Sequence, residues 1–224
     1  EKPHSRHGEK MKIIPGPASN ELGQKIARLL NAEVVPVFFK TQPDGESYIR
    51  LEGTVQDGEV VIVQTTSPPQ DTRLIQLALI ADAARRHGAK KVTAVAPYLA
   101  YARQDRVFLQ GEAVSIEAVA HMLKEAGIDG LITVNVHQTK VLSKFPFPAK
   151  TVSAIPLLAE YFKHKLSEKA FALAPDHGAL RLAEEAKTIL GGGFGYLEKH
   201  RDFYSGQIRT EKTTLNVTGK TVII

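Results

Sequence analysis

Cysteine and tryptophan are both absent from the 224 residues, and methionine occurs only twice. Without cysteine there is no disulfide, no thiolate metal site and no cysteine nucleophile, which suits a cytoplasmic enzyme. Long apolar runs are missing too: none approaches the roughly 20 residues that a membrane-spanning helix needs, so no membrane partner is expected. The first ten residues, EKPHSRHGEK, lack the apolar middle of a secretion signal and read as an N-terminal extension ahead of Met11. Aromatics are scarce at 7%, and Lys and Arg are scattered along the chain. A nucleic-acid binder needs basic faces with stacking rings between them, so no nucleic-acid partner is expected. The net charge of +5 still favours an anionic ligand, and phosphorylated small molecules account for it.

What is present is ordinary globular composition, 43% hydrophobic and 24% charged, in a length that allows one large or two small domains. Glu59–Gln64, Lys91–Ala96 and Gly130–Asn135 are nearly continuous apolar runs and read as strands of a parallel sheet covered on both faces. Between them, Asp71–Arg86 places Leu74, Leu77, Ala78 and Ala81 on one helical face, and Ser115–Ala126 does the same with Ile116, Val119, Ala120 and Leu123. Gly88 and Gly127 close these helices. The rhythm predicts an α/β doubly wound fold. Pro146 and Pro148 fit neither a helix nor a central strand and mark a boundary, giving domains at 11–148 and 149–224. In the second, helices over Pro156–Lys165 and Ala179–Thr188 flank a strand at Lys169–Ala174. Gly191–Gly193 is expected to break the chain before a strand at Phe194–Leu197, and Lys220–Ile224 reads as another strand.

Four polar clusters fall at predicted strand ends or turns. Pro43-Asp44-Gly45-Glu46 reads as a β-turn before Ser47–Leu51. Pro97 to Arg106 (PYLAYARQDR) follows a strand, where ligands of open α/β sheets bind. Its tyrosines can stack a base, and its arginines offer planar forks of donors to phosphate oxygens; the competing reading is a solvated basic loop. His137 follows the strand ending at Asn135 and reads either as a structural histidine or as a ligand. Asp176, in Pro175-Asp176-His177-Gly178, reads as a helix cap or as a carboxylate for magnesium.

Taken in order, Asp-Gly-Glu, Pro-Tyr-x-x-Tyr-Ala-Arg-Gln-Asp-Arg, a strand-end His and Pro-Asp-x-Gly resemble the ribose-phosphate diphosphokinases, from Met11 to Ile224. The short segments and the Tyr-Leu-Glu-Lys-His-Arg stretch resemble the archaeal-type branch. The resemblance implies two domains of type I phosphoribosyltransferase fold, the second incomplete. It also implies transfer of the ATP diphosphate to C1 of ribose 5-phosphate with release of AMP, using Mg2+. By motif, Asp44, Gly45 and Glu46 would reach ATP bound to a neighbouring subunit of a homo-oligomer, with Phe39 as a stacking partner. Arg103 and Gln104 would hold ATP, His137 and Asp176 would stand at magnesium positions, Lys199 would be catalytic, and Arg201 would bind ribose 5-phosphate. A loop over Asp202–Gln207 closing on ATP would exclude water.

Two departures stand out. Asn135 occupies a position where many family members have Asp, which removes one carboxylate near the metal. The family strand matching Lys220–Ile224 also runs on into two acids and a Thr-Gly-Gly-Thr-type loop that cradles the 5-phosphate, and the sequence ends before them. That leaves an enzyme whose chain continues, or a truncated, inactive nucleotide-binding paralogue that regulates or scaffolds an intact synthetase. A simple phosphate-binding module, a third class, would need no His137–Asp176 metal pair.

Overall fold

The computed structural model describes residues 11–201, 208–210 and 215–224, with the backbone alone for 199–201 and 208–210. The chain divides into two units, the first ending at Val152 and the second starting at Ser153. The N-terminal extension expected at residues 1–10 lies outside the described residues.

In chain order the first unit comprises β1 (Lys12–Pro15), α1 (Asn20–Leu30), β2 (Glu33–Val34), β3 (Val37–Thr41), β4 (Ser47–Leu51), β5 (Glu59–Val63) and α2 (Gln70–Arg86). There follow β6 (Lys91–Ala96), α3 (Ser115–Glu125), β7 (Gly130–Val134) and β8 (Ala149–Val152). Six strands form one parallel sheet in the order β2-β1-β5-β6-β7-β8. The strand directly after Pro148 therefore belongs to this first sheet. Burial on both faces explains the apolar runs. Ile14, Val60, Ile62, Val92 and Ala94 pack into one core with α2 and α3, while Ile13 and Val63 meet Ala27 of α1 in another.

On α3 the expected face, Ile116, Val119, Ala120 and Leu123, is the buried one. On α2 the buried set is Leu74, Gln76, Leu77, Ile80, Ala81 and Ala84, so Ala78 yields its place to Ile80, Ala84 and a buried glutamine. Polar burial there is compensated by hydrogen bonds. Gln64, fully buried, accepts from the Ala18 N–H at 2.9 Å and donates to Gln76 Oε1 at 3.1 Å; Gln76 in turn donates to Ser47 Oγ at 3.2 Å. This chain of amides ties the loop before α1 to α2 and to the antiparallel β3–β4 hairpin, whose Val37, Ile49 and Leu51 join the larger core.

The second unit comprises α4 (Ile155–Lys163), β9 (Ala170–Ala174), α5 (Leu180–Leu190), β10 (Gly191–Tyr196), β11 (Lys199–Arg201), β12 (Ile208–Thr210) and β13 (Thr221–Ile223). A parallel sheet of order β10-β9-β13 packs on α4 and α5 around Ala170, Ala172, Ala174, Ala159, Ala183 and Leu190. The glycine triplet does not precede the strand, as expected above, but begins it. A Cβ on Gly192 would lie 2.3 Å from the Ala170 carbonyl, so the absent side chain is what lets β10 reach β9. Pairing shifts register between Gly191 and Phe194. Lys199 and Arg201 stand on β11, which pairs antiparallel with β12. Among the described residues no helix is long and apolar enough to cross a membrane.

Candidate functional site

A cleft of about 520 Å³ opens at the carboxyl ends of β6 and β7, and Asp71, Tyr98, Tyr101, Arg103, Gln104 and His137 are among the side chains that line it. Thr66, buried just past β5, fixes the start of the loop that leaves β6. Its hydroxyl donates to the Tyr98 carbonyl at 2.7 Å and accepts from the Ala100 N–H at 2.8 Å. One side chain thus bonds two backbone groups of the loop, and the Thr66 N–H adds a second bond to the Tyr98 carbonyl at 3.0 Å. Tyr101 follows with φ 65°, and the Gln104 N–H closes the turn onto the Tyr101 carbonyl at 3.2 Å.

The downstream segment folds around Glu112. Its Oε2 accepts from the N–H groups of Phe108 at 2.8 Å and Leu109 at 2.9 Å, and from Gln104 Nε2 at 3.2 Å. These bonds, those from Leu109 and Phe108 foremost, hold the Glu112 carboxyl below the usual glutamate range. Gln104 Nε2 also donates to the Arg106 carbonyl at 3.3 Å, so the amide nitrogen is committed within the protein and Oε1 is the atom left for a ligand. Asp105 is nearly buried and pairs with Lys140 at 3.5 Å. The Arg103 guanidinium, exposed, makes no hydrogen bond or ion pair among the described residues. His137 is likewise exposed on the opposite wall, two residues beyond Asn135, whose φ is 44° and whose N–H bonds the Val152 carbonyl at 2.9 Å.

Arg103, Gln104 and His137 are therefore brought together. The Asp44–Glu46 turn is not part of this lining. It caps the β3–β4 hairpin, where Gly45 takes φ 94°, the Asp44 carboxylate accepts from the Glu46 N–H at 3.1 Å and both acids are exposed. A type of turn that needs positive φ explains the glycine. Phe39, on β3, is exposed beside it, and Phe38 carries Arg50 over its ring at 4.8 Å.

In the second unit Asp176 sits between β9 and α5, where its Oδ1 accepts from the Ala179 N–H at 3.2 Å and caps the short turn His177–Ala179. Its Oδ2 has no partner among the described residues. His177 meets the ring of Tyr196 edge-on at 5.1 Å, and the Leu197 N–H bonds the Ala174 carbonyl at 3.1 Å. On the ribbon that follows, Lys199 stands opposite Thr210 and Arg201 opposite Ile208. The closing loop expected at Asp202–Gln207 lies outside the described residues. Among the described residues, no group of three or more His, Asp and Glu is gathered closely enough to hold a metal ion by itself.

Asp71, Thr66 and Glu112 escaped the sequence reading. Asp71 was within reach of it, because the helix that it opens follows β5 at the same sheet edge; Thr66 and Glu112 bond to backbone, which no motif announces.

Comparison with known proteins bears on the family and the fold. The profile of the N-terminal domain of ribose phosphate pyrophosphokinase matches residues 11–127. A ribose-phosphate pyrophosphokinase of the archaeon Saccharolobus solfataricus is 43% identical over 215 residues, covering 96% of this chain and 74% of the relative. Another, from Methanothermobacter thermautotrophicus, is 40% identical over 212 residues, covering 95% and 73%. The crystal structure of phosphoribosylpyrophosphate synthetase from Mycobacterium smegmatis superposes with a TM-score of 0.81 at 29% identity, covering 95% of this chain and 70% of that one. The motifs, the mostly parallel α/β architecture and these likenesses agree, and the chain belongs to the ribose-phosphate pyrophosphokinase family of enzymes.

Proposed function

We propose that this chain binds ATP in the cleft at the ends of β6 and β7 and transfers its diphosphate to the C1 hydroxyl of ribose 5-phosphate. In that reaction the C1 oxygen attacks the β-phosphorus and the bond from the β-phosphorus to the α–β bridging oxygen breaks. Its electron pair leaves with AMP, and the hydroxyl proton is released. The observation that carries the reading is the unpaired Arg103 guanidinium facing the cleft beside Gln104 and His137, at the sheet edge where this architecture binds ligands. Attack at phosphorus asks the protein mainly for alignment and positive charge. Arg103 answers the second need with two or more N–H groups toward phosphate oxygens, and Gln104 can accept from the nucleotide through Oε1.

Lys199, the first residue of β11, is assigned to neutralising charge that develops on the transferred group, and Arg201 to the phosphate of ribose 5-phosphate. His137 in the first unit and Asp176 in the second are each assigned to a magnesium position, since magnesium takes few protein ligands and completes its shell with water and phosphate oxygens. Asp176 keeps one carboxylate oxygen unspent, and the His137 imidazole makes no hydrogen bond among the described residues. Bound there, magnesium would lower the negative charge on the polyphosphate. The exposed acids of the Asp44–Glu46 turn lie off the chain's own cleft, which supports a homo-oligomer in which the turn completes a neighbour's ATP site.

The test is AMP release by the purified protein with ATP, magnesium and ribose 5-phosphate. AMP appearing only when all three are present, matched by 5-phosphoribosyl 1-diphosphate, supports the transfer. ATP binding without AMP release would leave a nucleotide-binding protein and sink the catalytic reading.

A further inference from the structure

Four residues other than glycine have positive φ among the described residues: Asn31, Asp57, Tyr101 and Asn135. Asn31 closes α1 and Asp57 sits in a turn, places where short polar side chains tolerate this backbone. Tyr101 and Asn135 instead line the cleft. For a bulky aromatic the left-handed region is an outlier, and it persists only where surrounding contacts impose it.

Tyr101 has an anchor that its own turn does not supply. Its hydroxyl donates to the Asp71 carboxylate, on a different element, in the first turn of α2. The bond raises the Tyr101 hydroxyl above the usual tyrosine range, as expected when a carboxylate accepts its proton. Asp71 is also the only carboxylate among the described residues that line the cleft. The Tyr101 hydroxyl engages its Oδ1 within the wall of the cleft. Arg103 lies two residues beyond Tyr101, and Gln104 closes the same turn.

We infer that Asp71 is a positioning residue: it holds Tyr101, and through Tyr101 the turn that aims Arg103 and Gln104 into the cleft. This rests on the reading of the cleft as the ATP site. Asp71 touches no substrate in this scheme; it removes the freedom of the 101–104 turn before ATP arrives, so that less ordering is left for the binding step.

ATP is titrated by calorimetry, with magnesium, into the wild-type protein and into Tyr101→Phe, Asp71→Ala, Asp71→Asn and the double variant Asp71→Ala/Tyr101→Phe. A hydrogen bond to a charged group sets the upper limit, reduced here by solvent exposure, so Tyr101→Phe and Asp71→Ala should each raise the Kd for ATP several-fold, up to about tenfold. The double variant should be no worse than either single change, because both remove one contact. Asp71→Asn, which keeps an accepting oxygen, should recover most of the affinity. In the AMP-release assay the same variants should raise KM for ATP with kcat little changed. A role confined to capping charge at α2 would instead lower Tm in Asp71→Ala and leave Tyr101→Phe untouched. Should Asp71→Ala fail to fold, Tyr101→Phe, which deletes one exposed hydroxyl, carries the decision alone. Wild-type binding with an unaltered Kd in Tyr101→Phe overturns this inference and spares the ATP reading. A wild type that does not bind ATP overturns the ATP reading and removes the basis of this one.

Discussion

Single side chains decide most of the chemistry proposed here. Arg103→Ala removes a cation that makes no ion pair among the described residues. Losing charged hydrogen bonds worth about 1.5–3 kcal/mol should raise the Kd for ATP by roughly ten- to a hundredfold, read by calorimetry. An unchanged Kd would take Arg103 out of the site. Lys199→Ala should behave differently, lowering kcat about a hundred- to a thousandfold while ATP affinity persists, as for loss of one group that stabilises charge in the transition state. Turnover equal to the wild type would remove Lys199 from the mechanism. At this scale the sequence was most informative where a motif names a residue that lines the cleft, as with Arg103 and His137. It was silent on residues that act by bonding backbone. Nothing in the composition around Thr66 or Glu112 says that one clamps the Tyr98–Ala100 segment and the other gathers Phe108 and Leu109. Their partners are set by the folded path of the loop.

At the scale of elements, the segment from Gln104 to Glu112 depends on an ionised carboxylate. Because the folded state holds Glu112 below its ordinary range, the stabilisation is present above the unfolded glutamate pKa and is lost as pH falls through the folded value. The amide proton shifts of Phe108 and Leu109 should therefore titrate together with a midpoint below that of a free glutamate. In Glu112→Gln that titration should vanish; persistence in the variant would assign it to another group. Strand β10 offers a steric counterpart. Gly192→Ala places a methyl against the Ala170 carbonyl, and the overlap should cost about 1–3 kcal/mol in urea denaturation. A variant as stable as the wild type would mean that β10 can slide. Most elements were legible because their apolar periods are clean: β5, β6, β7 and α3 lie within a residue of expectation. Periodicity fails where backbone proximity is the cause. A glycine triplet looks like a break in one dimension and acts as a close-packed strand in three. Helix α2 misleads for a related reason, since Gln76 is buried by a polar network that a hydrophobic pattern cannot register.

For the molecule as a whole, light scattering should give a mass above the 24.5 kDa of one chain at micromolar concentration. A monomer that binds ATP with full affinity would contradict the role given to the Asp44–Glu46 turn. Sheet order has a further consequence, in biosynthesis. Strand β1 is flanked by the two-residue β2 and by β5, so its main partner, beginning at Val60, lies about 48 residues downstream of Lys12. At translation speeds of about 5–20 residues per second, that partner is synthesised roughly 2–10 s later. Throughout this interval Ile13 and Ile14, fully buried in the finished protein, belong to a nascent strand that has only α1 and the two-residue β2 to dock on. The emerging chain thus carries an apolar tag that the ribosome's attendant chaperones can read, and it is withdrawn only when β5 arrives.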